Sequence, residues 1–293
     1  RDDAWGGNYD NRTRLAIEVV KRVRQRVGPN FIIVYRLSML DLVPEGSNLD
    51  EVVQLGQAIE KAGATIINTG IGWHEARIPT IATKVPRAAF TWVTHTIRKH
   101  LTVPVITSNR INTPEVAESV LANGDADLIS MARPFLADPE FVNKAAAGTP
   151  ERINTCIGCN QACLDHVFSG KPSSCLVNPR ACEETKIIIE PTTAKKTIAI
   201  IGAGPAGLAC AVTAAERGHN VTLYDAGNEI GGQFNIAKRI PGKEEFFETL
   251  RYFAVRLKEL KVTVKLNTTL TTQQLNALQV DELVLAPGIS PRD

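Results

Sequence analysis

What this sequence lacks narrows its class before any motif is read. It has no basic tract: 33 Lys and Arg stand against 31 Asp and Glu, for a net charge of +2 over 293 residues. Without a polybasic surface there is no electrostatic case for nucleic acid or an anionic membrane as a partner. No internal repeat and no low-complexity tract is present. The opening residues Arg1-Asp2-Asp3 have no apolar core behind them, so no secretory leader is read there. Six cysteines in so long a chain are too few for a secreted disulfide scaffold. Their clustering instead suggests a metal site or redox chemistry in a reducing compartment, and a cytoplasmic location is expected. One uncharged stretch of 19 residues, Thr197 to Ala215, has the length of a membrane span. Its glycines and Pro205 fit a strand, a turn and a helix better. The first residue is not methionine and both ends fall in mid-pattern, so the chain is expected to be an internal piece of a longer protein. Composition is that of a globular protein, 44% hydrophobic and 22% charged, with a length that suggests about two domains.

From the start to about Gly148, helical periodicity alternates with short apolar runs. Thr13–Arg26, Leu49–Ala62, Phe90–His100, Pro114–Ala122 and Glu140–Ala147 read as helices. Phe31–Tyr35, Ala64–Asn68, Pro104–Thr107 and Asp127–Met131 read as strands, the first ending at Arg36. Such alternation implies βα units on a parallel sheet. Each strand runs into polar or glycine-rich residues: Arg36, Asn68-Thr69-Gly70, Ser108-Asn109-Arg110 and Ala132-Arg133-Pro134. In a (β/α)8 barrel such positions build the active site, and a whole barrel takes about 250 residues. Roughly half a barrel is therefore one reading, and a small open α/β sheet is the other. Glu183–Lys196 reads as a linker. From Thr197 a new α/β unit opens with the strand Ile198–Ile201, followed by a second strand, Asn220–Tyr224.

Between these regions lies Cys-Ile-Gly-Cys-Asn-Gln-Ala-Cys. Cys156, Cys159 and Cys163, with Cys175 or Cys182 farther on, place three thiols close together and a fourth at a distance. Structural zinc sites usually pair two short C-x-x-C-like units, whereas an iron-sulfur cubane accepts a tight trio plus one. Iron-sulfur and zinc both stay open on spacing alone. Cys210 sits on the apolar face of a helix and reads as a small core residue.

Gly202-Ala203-Gly204-Pro205-Ala206-Gly207 is a GxGxxG between a strand and a helix, and Asp225 ends the next strand. The glycines allow a tight turn and close approach of a pyrophosphate to a helix N-terminus, and the carboxylate can take a ribose hydroxyl. Asp225 favours an unphosphorylated ribose, as in FAD or NAD.

Together with Trp5-Gly6-Gly7, Tyr35-Arg36-Leu37-Ser38-Met39, Gly70-Ile71-Gly72-Trp73-His74-Glu75, Ala132-Arg133-Pro134-Phe135 and Ile230-Gly231-Gly232-Gln233, these motifs resemble a known family. They are similar, along essentially the whole chain, to iron-sulfur flavoenzymes of the old yellow enzyme type. The likeness is greatest to the bacterial NADPH-dependent 2,4-dienoyl-CoA reductases. The resemblance implies an α/β fold in three parts. Residues 1–150 would be the second half of an FMN-binding TIM barrel. Residues 151–196 would be an iron-sulfur segment and linker, and 197–293 the start of a Rossmann-like FAD-binding domain. It implies FMN, FAD and a [4Fe-4S] cluster as cofactors, NADPH as electron donor and an acyl-CoA as substrate. Electrons would run from NADPH through FAD, cluster and FMN to the substrate.

Carried over residue by residue, His74 would be catalytic, and Glu75, Ala76, Arg77 and Ile78 would touch the acyl chain. Arg36 would lie at the flavin ring, with Arg110, Ala132 and Arg133 on the FMN side and Arg133 at its phosphate. Cys156, Cys159, Cys163 and Cys175 would hold the cluster. Gly202, Gly204, Ala206, Gly207, Asp225 and Gln233 would bind FAD. The neighbours of His74 alone fit a structural histidine equally well. His95, His100, His166 and His219 read as surface or turn residues. The family's catalytic tyrosine comes from a barrel half that this chain does not contain, and its NADPH domain would begin after Pro291-Arg292. Related enoate reductases and trimethylamine or histamine dehydrogenases share this layout. An alternative of another class is a non-catalytic electron-transfer or zinc-stabilised nucleotide-binding module.

Overall fold

The computed structural model of the chain describes residues 3–289; the junction expected at Pro291-Arg292 lies outside them. The chain divides into two compact units, 1–132 and 133–293.

In the first unit four parallel strands lie side by side in chain order: β1 (Val34–Leu40), β2 (Ile66–Ile71), β3 (Val105–Thr107) and β4 (Leu128–Ile129). The intervening helices are α1 (Tyr9–Val27), α2 (Leu49–Ala62), α3 (Thr91–Arg98) and α4 (Pro114–Ala122). Local chemistry sets their ends. Asn48 and Glu51 form a reciprocal capping box at α2, Gly63 ends that helix in the left-handed region at φ 111°, and Pro114 begins α4 after the Thr113 cap.

Helices α1, α2 and α3 cover one face of this sheet. Val20, Val52, Ile59, Val93 and Ile97 meet Leu37, Met39, Ile67, Ile71 and Val105 in one core. Strand β1 alternates accordingly, with Leu37 and Met39 buried and Val34, Arg36 and Ser38 exposed. A sheet whose helices lie on one side has the layering of a barrel wall, in contrast to a doubly wound sheet.

Strand β1 is displaced from the run Phe31–Tyr35, and Arg36 is its third residue, well short of its end. Phe31 and Ile32 are exposed. Arg24 holds the carbonyls of Gly28, Phe31 and Gly63, and Thr65 Oγ1 accepts from Ile33 N, so this stretch is a fixed loop. Pairing with β2 starts only at Val34 opposite Ile66 and continues to Leu40 opposite Ile71 across an irregularity after Ser38.

A chain of buried hydroxyls ties the sheet to α3. Thr94 Oγ1 lies 2.8 Å from Thr69 Oγ1 and donates to Thr107 Oγ1 at 2.9 Å, and Thr69 Oγ1 donates to Ile106 O at 2.6 Å.

The second unit begins with short helices α5 (Arg133–Ala137), α6 (Phe141–Ala146) and α7 (Leu164–Phe168). It continues as β5 (Thr197–Ile201), α8 (Pro205–Glu216), β6 (Asn220–Tyr224), α9 (Phe234–Ala237), α10 (Phe246–Glu259), β7 (Thr263–Lys265), α11 (Thr272–Asn276) and β8 (Glu282–Leu285). Its parallel sheet has the order β7-β6-β5-β8, so the winding reverses between β5 and β8. Ile200, Leu208, Ala211, Leu223, Leu250 and Leu257 form its core, against which the half-buried Cys210 packs. The uncharged stretch Thr197–Ala215 is β5, the glycine loop and most of α8. No described helix is long and apolar enough to cross a membrane. Residues 183–196 contain no helix or strand.

Replacing Thr94 by Val leaves the Thr107 hydroxyl without its buried donor. The expected cost is about 1–3 kcal/mol, read as a lower urea midpoint for the first unit. Thr94→Ser keeps the hydroxyl and should lose clearly less.

Candidate functional site

In parallel α/β sheets, chemistry gathers at the C-terminal ends of the strands, where loops are free to carry side chains that packing does not consume. In the first unit the loop after β2 runs Gly72-Trp73-His74-Glu75. Gly72 takes a positive φ of 71°, which turns the chain away from the sheet. His74, Glu75, Arg77 and Ile78 are exposed, and Ala76 is half-buried. The loop is tied to the end of β1: Gly72 N donates to Leu40 O at 2.6 Å and Trp73 N to Asp41 O at 3.0 Å. Arg36 is exposed and stands opposite Asn68 of β2. Ser130 Oγ donates to Asn68 Oδ1 at 3.2 Å. Arg110 is buried; it follows Asn109 in a pair of left-handed residues, and its Nε donates to Val85 O at 2.9 Å. Ala132 is exposed.

In the second unit Cys156, Cys159, Cys163 and Cys175 line one small cavity with Arg133, Asn160 and Ile157. Cys182 is exposed and outside it. None of the six cysteines is in a disulfide. Burial pushes the Cys175 thiol up to about 11 and raises that of Cys159. Main-chain amides nearby pull the other way, those of Val177 and Asn178 at Cys175 and that of Gln161 at Cys159. Amides aimed at sulfur stabilise thiolate, the form that binds metal.

Among the described residues, no three His, Cys, Asp or Glu side chains form a group that could hold a metal ion. Four thiols lining one space are a donor set that either a four-iron cluster or a tetrahedral zinc could use. Asn160 has φ 63°, and its Oδ1 accepts from Arg133 Nη1 at 2.6 Å. Arg251 of α10 holds the approach to Cys156, donating to Ile153 O at 2.9 Å, to Thr155 Oγ1 at 3.0 Å and to Glu151 O. Asn160 and Arg251 escape sequence reading because their roles depend on tertiary contacts. An Asn between two cysteines is the only hint for the first.

The glycine loop after β5 lies where the sheet order reverses. A Cβ on Gly202 would sit 2.0 Å from Ala286 O, and one on Gly207 1.8 Å from Gly202 O. Both therefore serve tight backbone packing. Gly204 is different: its Cβ would meet nothing within 4 Å. It precedes α8 with no side-chain cap, so the first amides of that helix remain available to an anion. Asp225 holds the loop, accepting from Ala203 N at 2.6 Å and from Gly227 N at 2.7 Å. A carboxylate has about four lone-pair sites, which leaves capacity for a ribose hydroxyl. Gly231 N donates to Ala203 O at 2.7 Å, so the Ile230–Gln233 turn docks on the same loop. Gln233 is exposed, with its Nε2 donating to Ile289 O at 3.0 Å. Ala206 is exposed at the start of α8. These residues fit a dinucleotide pyrophosphate.

Gly204→Ala should leave thermal stability unchanged but weaken dinucleotide retention at least about tenfold, since the added methyl fills the surface a pyrophosphate would use. Gly207→Ala should damage both. Flavin stoichiometry and melting temperature of the two variants check this, and full flavin retention in Gly204→Ala would contradict it.

Comparison with known proteins matches residues 1–152 to the NADH:flavin oxidoreductase / NADH oxidase family and 196–293 to the pyridine nucleotide-disulphide oxidoreductases. A metal reductase of Desulforamulus reducens is 41% identical over 99% of this chain and 44% of its own length. An NADH oxidase of Thermoanaerobacter brockii is 34% identical over 99% of the chain and 45% of its own. The solved structure of a 2-naphthoyl-CoA reductase in complex with 2-naphthoyl-CoA superposes with a TM-score of 0.96 at 35% identity, covering 100% of this chain and 45% of that one. The chain thus spans a little under half the length of these relatives. With 152 of its 293 residues matched by the first family and the second joined behind it, the chain belongs to the NADH:flavin oxidoreductase / NADH oxidase family of flavin-binding oxidoreductases.

Proposed function

We propose that this chain is the central part of an iron-sulfur flavoenzyme that reduces a conjugated acyl-CoA thioester at the expense of NADPH, in the manner of a 2,4-dienoyl-CoA reductase. The observation that carries the reading is the pairing of two sites in one chain. A Trp-His-Glu loop closes a strand of a flavin-oxidoreductase sheet, and a four-thiol cavity precedes a glycine loop suited to a dinucleotide. The likeness to a CoA-thioester reductase supports the substrate class.

Residues 1–150 are read as the FMN-bearing barrel wall, 151–196 as the cluster segment and linker, and 197–293 as the FAD domain. Arg36 would lie at the FMN ring, with Arg110, Ala132 and Arg133 on the FMN side and Arg133 at its phosphate. Cys156, Cys159, Cys163 and Cys175 would hold a [4Fe-4S] cluster. The Gly202–Gly207 loop, Asp225 and Gln233 would hold FAD. When bound, the flavins would exchange electrons in pairs or singly and the cluster singly, so a flavin on either side of the cluster would let a hydride's two electrons cross it one at a time.

The chain's own residues then bind and orient. Glu75, Ala76, Arg77 and Ile78 border the acyl group, and the His74 imidazole holds a proton at the thioester carbonyl oxygen. A positioned proton donor of this kind contributes about 10²–10⁴-fold. In the full-length enzyme, His74→Ala should therefore slow reduction of a dienoyl thioester by about that factor, while NADPH bleaches the flavin at the normal rate. Equal slowing of both steps would contradict the assignment. The 41% identity to a metal reductase favours a second reading, in which the same carriers serve an inorganic acceptor. Rapid turnover with chelated Fe(III) and none with dienoyl-CoA would select it.

A further inference from the structure

Asp41 follows β1 directly and is only 3% exposed. A carboxylate so far from water must find its hydrogen bonds in the protein. Three donors converge on it: Ser38 Oγ at 2.5 Å and Trp73 Nε1 at 2.8 Å on Oδ1, and Ser47 N at 2.8 Å on Oδ2. Trp73 Nε1 also lies 3.3 Å from Ser38 Oγ. The main-chain oxygen of Asp41 takes Trp73 N at 3.0 Å. Trp73 is thus fixed at both its backbone and its indole by one residue, although its ring is 50% exposed.

The turn that encloses Asp41 is built for this purpose at some cost. Leu42 and Glu45 both adopt the left-handed region, at φ 61° and 58°, where a non-glycine residue is strained. Gly46 lies so close that a Cβ there would come 2.8 Å from Asp41 Cβ. Asparagine cannot copy the arrangement. Both carboxylate oxygens accept, whereas an amide would turn an N–H toward either Ser47 N–H or the indole N–H.

We infer that Asp41 is a positioning residue: acting through Trp73, it fixes the loop that presents His74 at the end of β2. The inference rests on His74 acting on the substrate. A shift of about 1 Å in such a group costs on the order of 100-fold in rate, and this link removes the freedom to make that shift. In the proposed electron path the flavins are reduced without the His74 loop, so only the substrate step would depend on the link.

The test uses the full-length holoenzyme and follows its two half-reactions separately. Asp41→Asn and Trp73→Phe should each slow flavin reoxidation by dienoyl-CoA about 10- to 100-fold, with reduction by NADPH unaffected. The double variant should be no slower than the slower single, because both changes cut one link. Hydrogen exchange of the 72–76 amides should accelerate in both variants. Multiplying effects, an unchanged reoxidation rate, or equal slowing of both half-reactions with loss of flavin would overturn the proposal. Trp73→Phe decides the matter should Asp41→Asn fail to fold, since it leaves the buried carboxylate with two donors.

The His74→Ala result separates this inference from the reading on which it rests. If His74→Ala slows reoxidation while Asp41→Asn and Trp73→Phe do not, the link is wrong and the histidine assignment stands. If the two link variants slow reoxidation and His74→Ala does not, the histidine assignment is wrong and the link acts through another residue of the loop.

Discussion

A carboxylate removed from water is costly until protein donors replace the lost hydration, and this chain uses that demand to fix its loops. Asp41 gathers Ser38, Ser47 and Trp73. Asp225, only half-buried, takes the amides of Ala203 and Gly227. Asp138, also buried, takes the amides of Glu140 and Asn154 and the Lys144 ammonium. Each stands beside one of the candidate site segments: the His74 loop, the glycine loop and the irregular stretch that leads into Cys156. Helices and sheets satisfy their own backbone groups, but loops do not, so a precise loop needs an acceptor that cannot be left unpaired.

The cysteine segment has little regular structure of its own and is organised from outside. Arg251 reaches it from α10, binding three of its residues, and Arg133 reaches it through Asn160. The segment is therefore anchored to the helix that packs on the sheet of the second unit. Burial raises the Cys159 and Cys175 thiols, and nearby main-chain amides oppose that rise.

Much of this was legible in the sequence, and for identifiable reasons. Helices α2 and α4 and strand β6 lie where periodicity, caps and turn residues agree. The glycine loop was readable because Gly202 and Gly207 face main-chain atoms that no side chain could tolerate. Strand β1 starts later than its sequence suggests: Phe31 and Ile32 look like core residues by type, yet Arg24 and Thr65 hold that stretch as a loop and pairing begins at Val34. Strand β7 and helix α10 were not anticipated; β7 is three exposed residues whose identity as a strand comes from pairing with β6. Asp41, Asn160 and Arg251 were invisible for the same reason: each acts on a partner that only folding brings near.

On the proposed reading, the four thiols in one cavity hold a cluster and not a single ion. Iron and acid-labile sulfide, measured anaerobically on freshly purified protein, test it most directly. The account predicts about four of each per chain. Stoichiometric zinc without sulfide would contradict it and would turn the cysteine segment into a structural clasp.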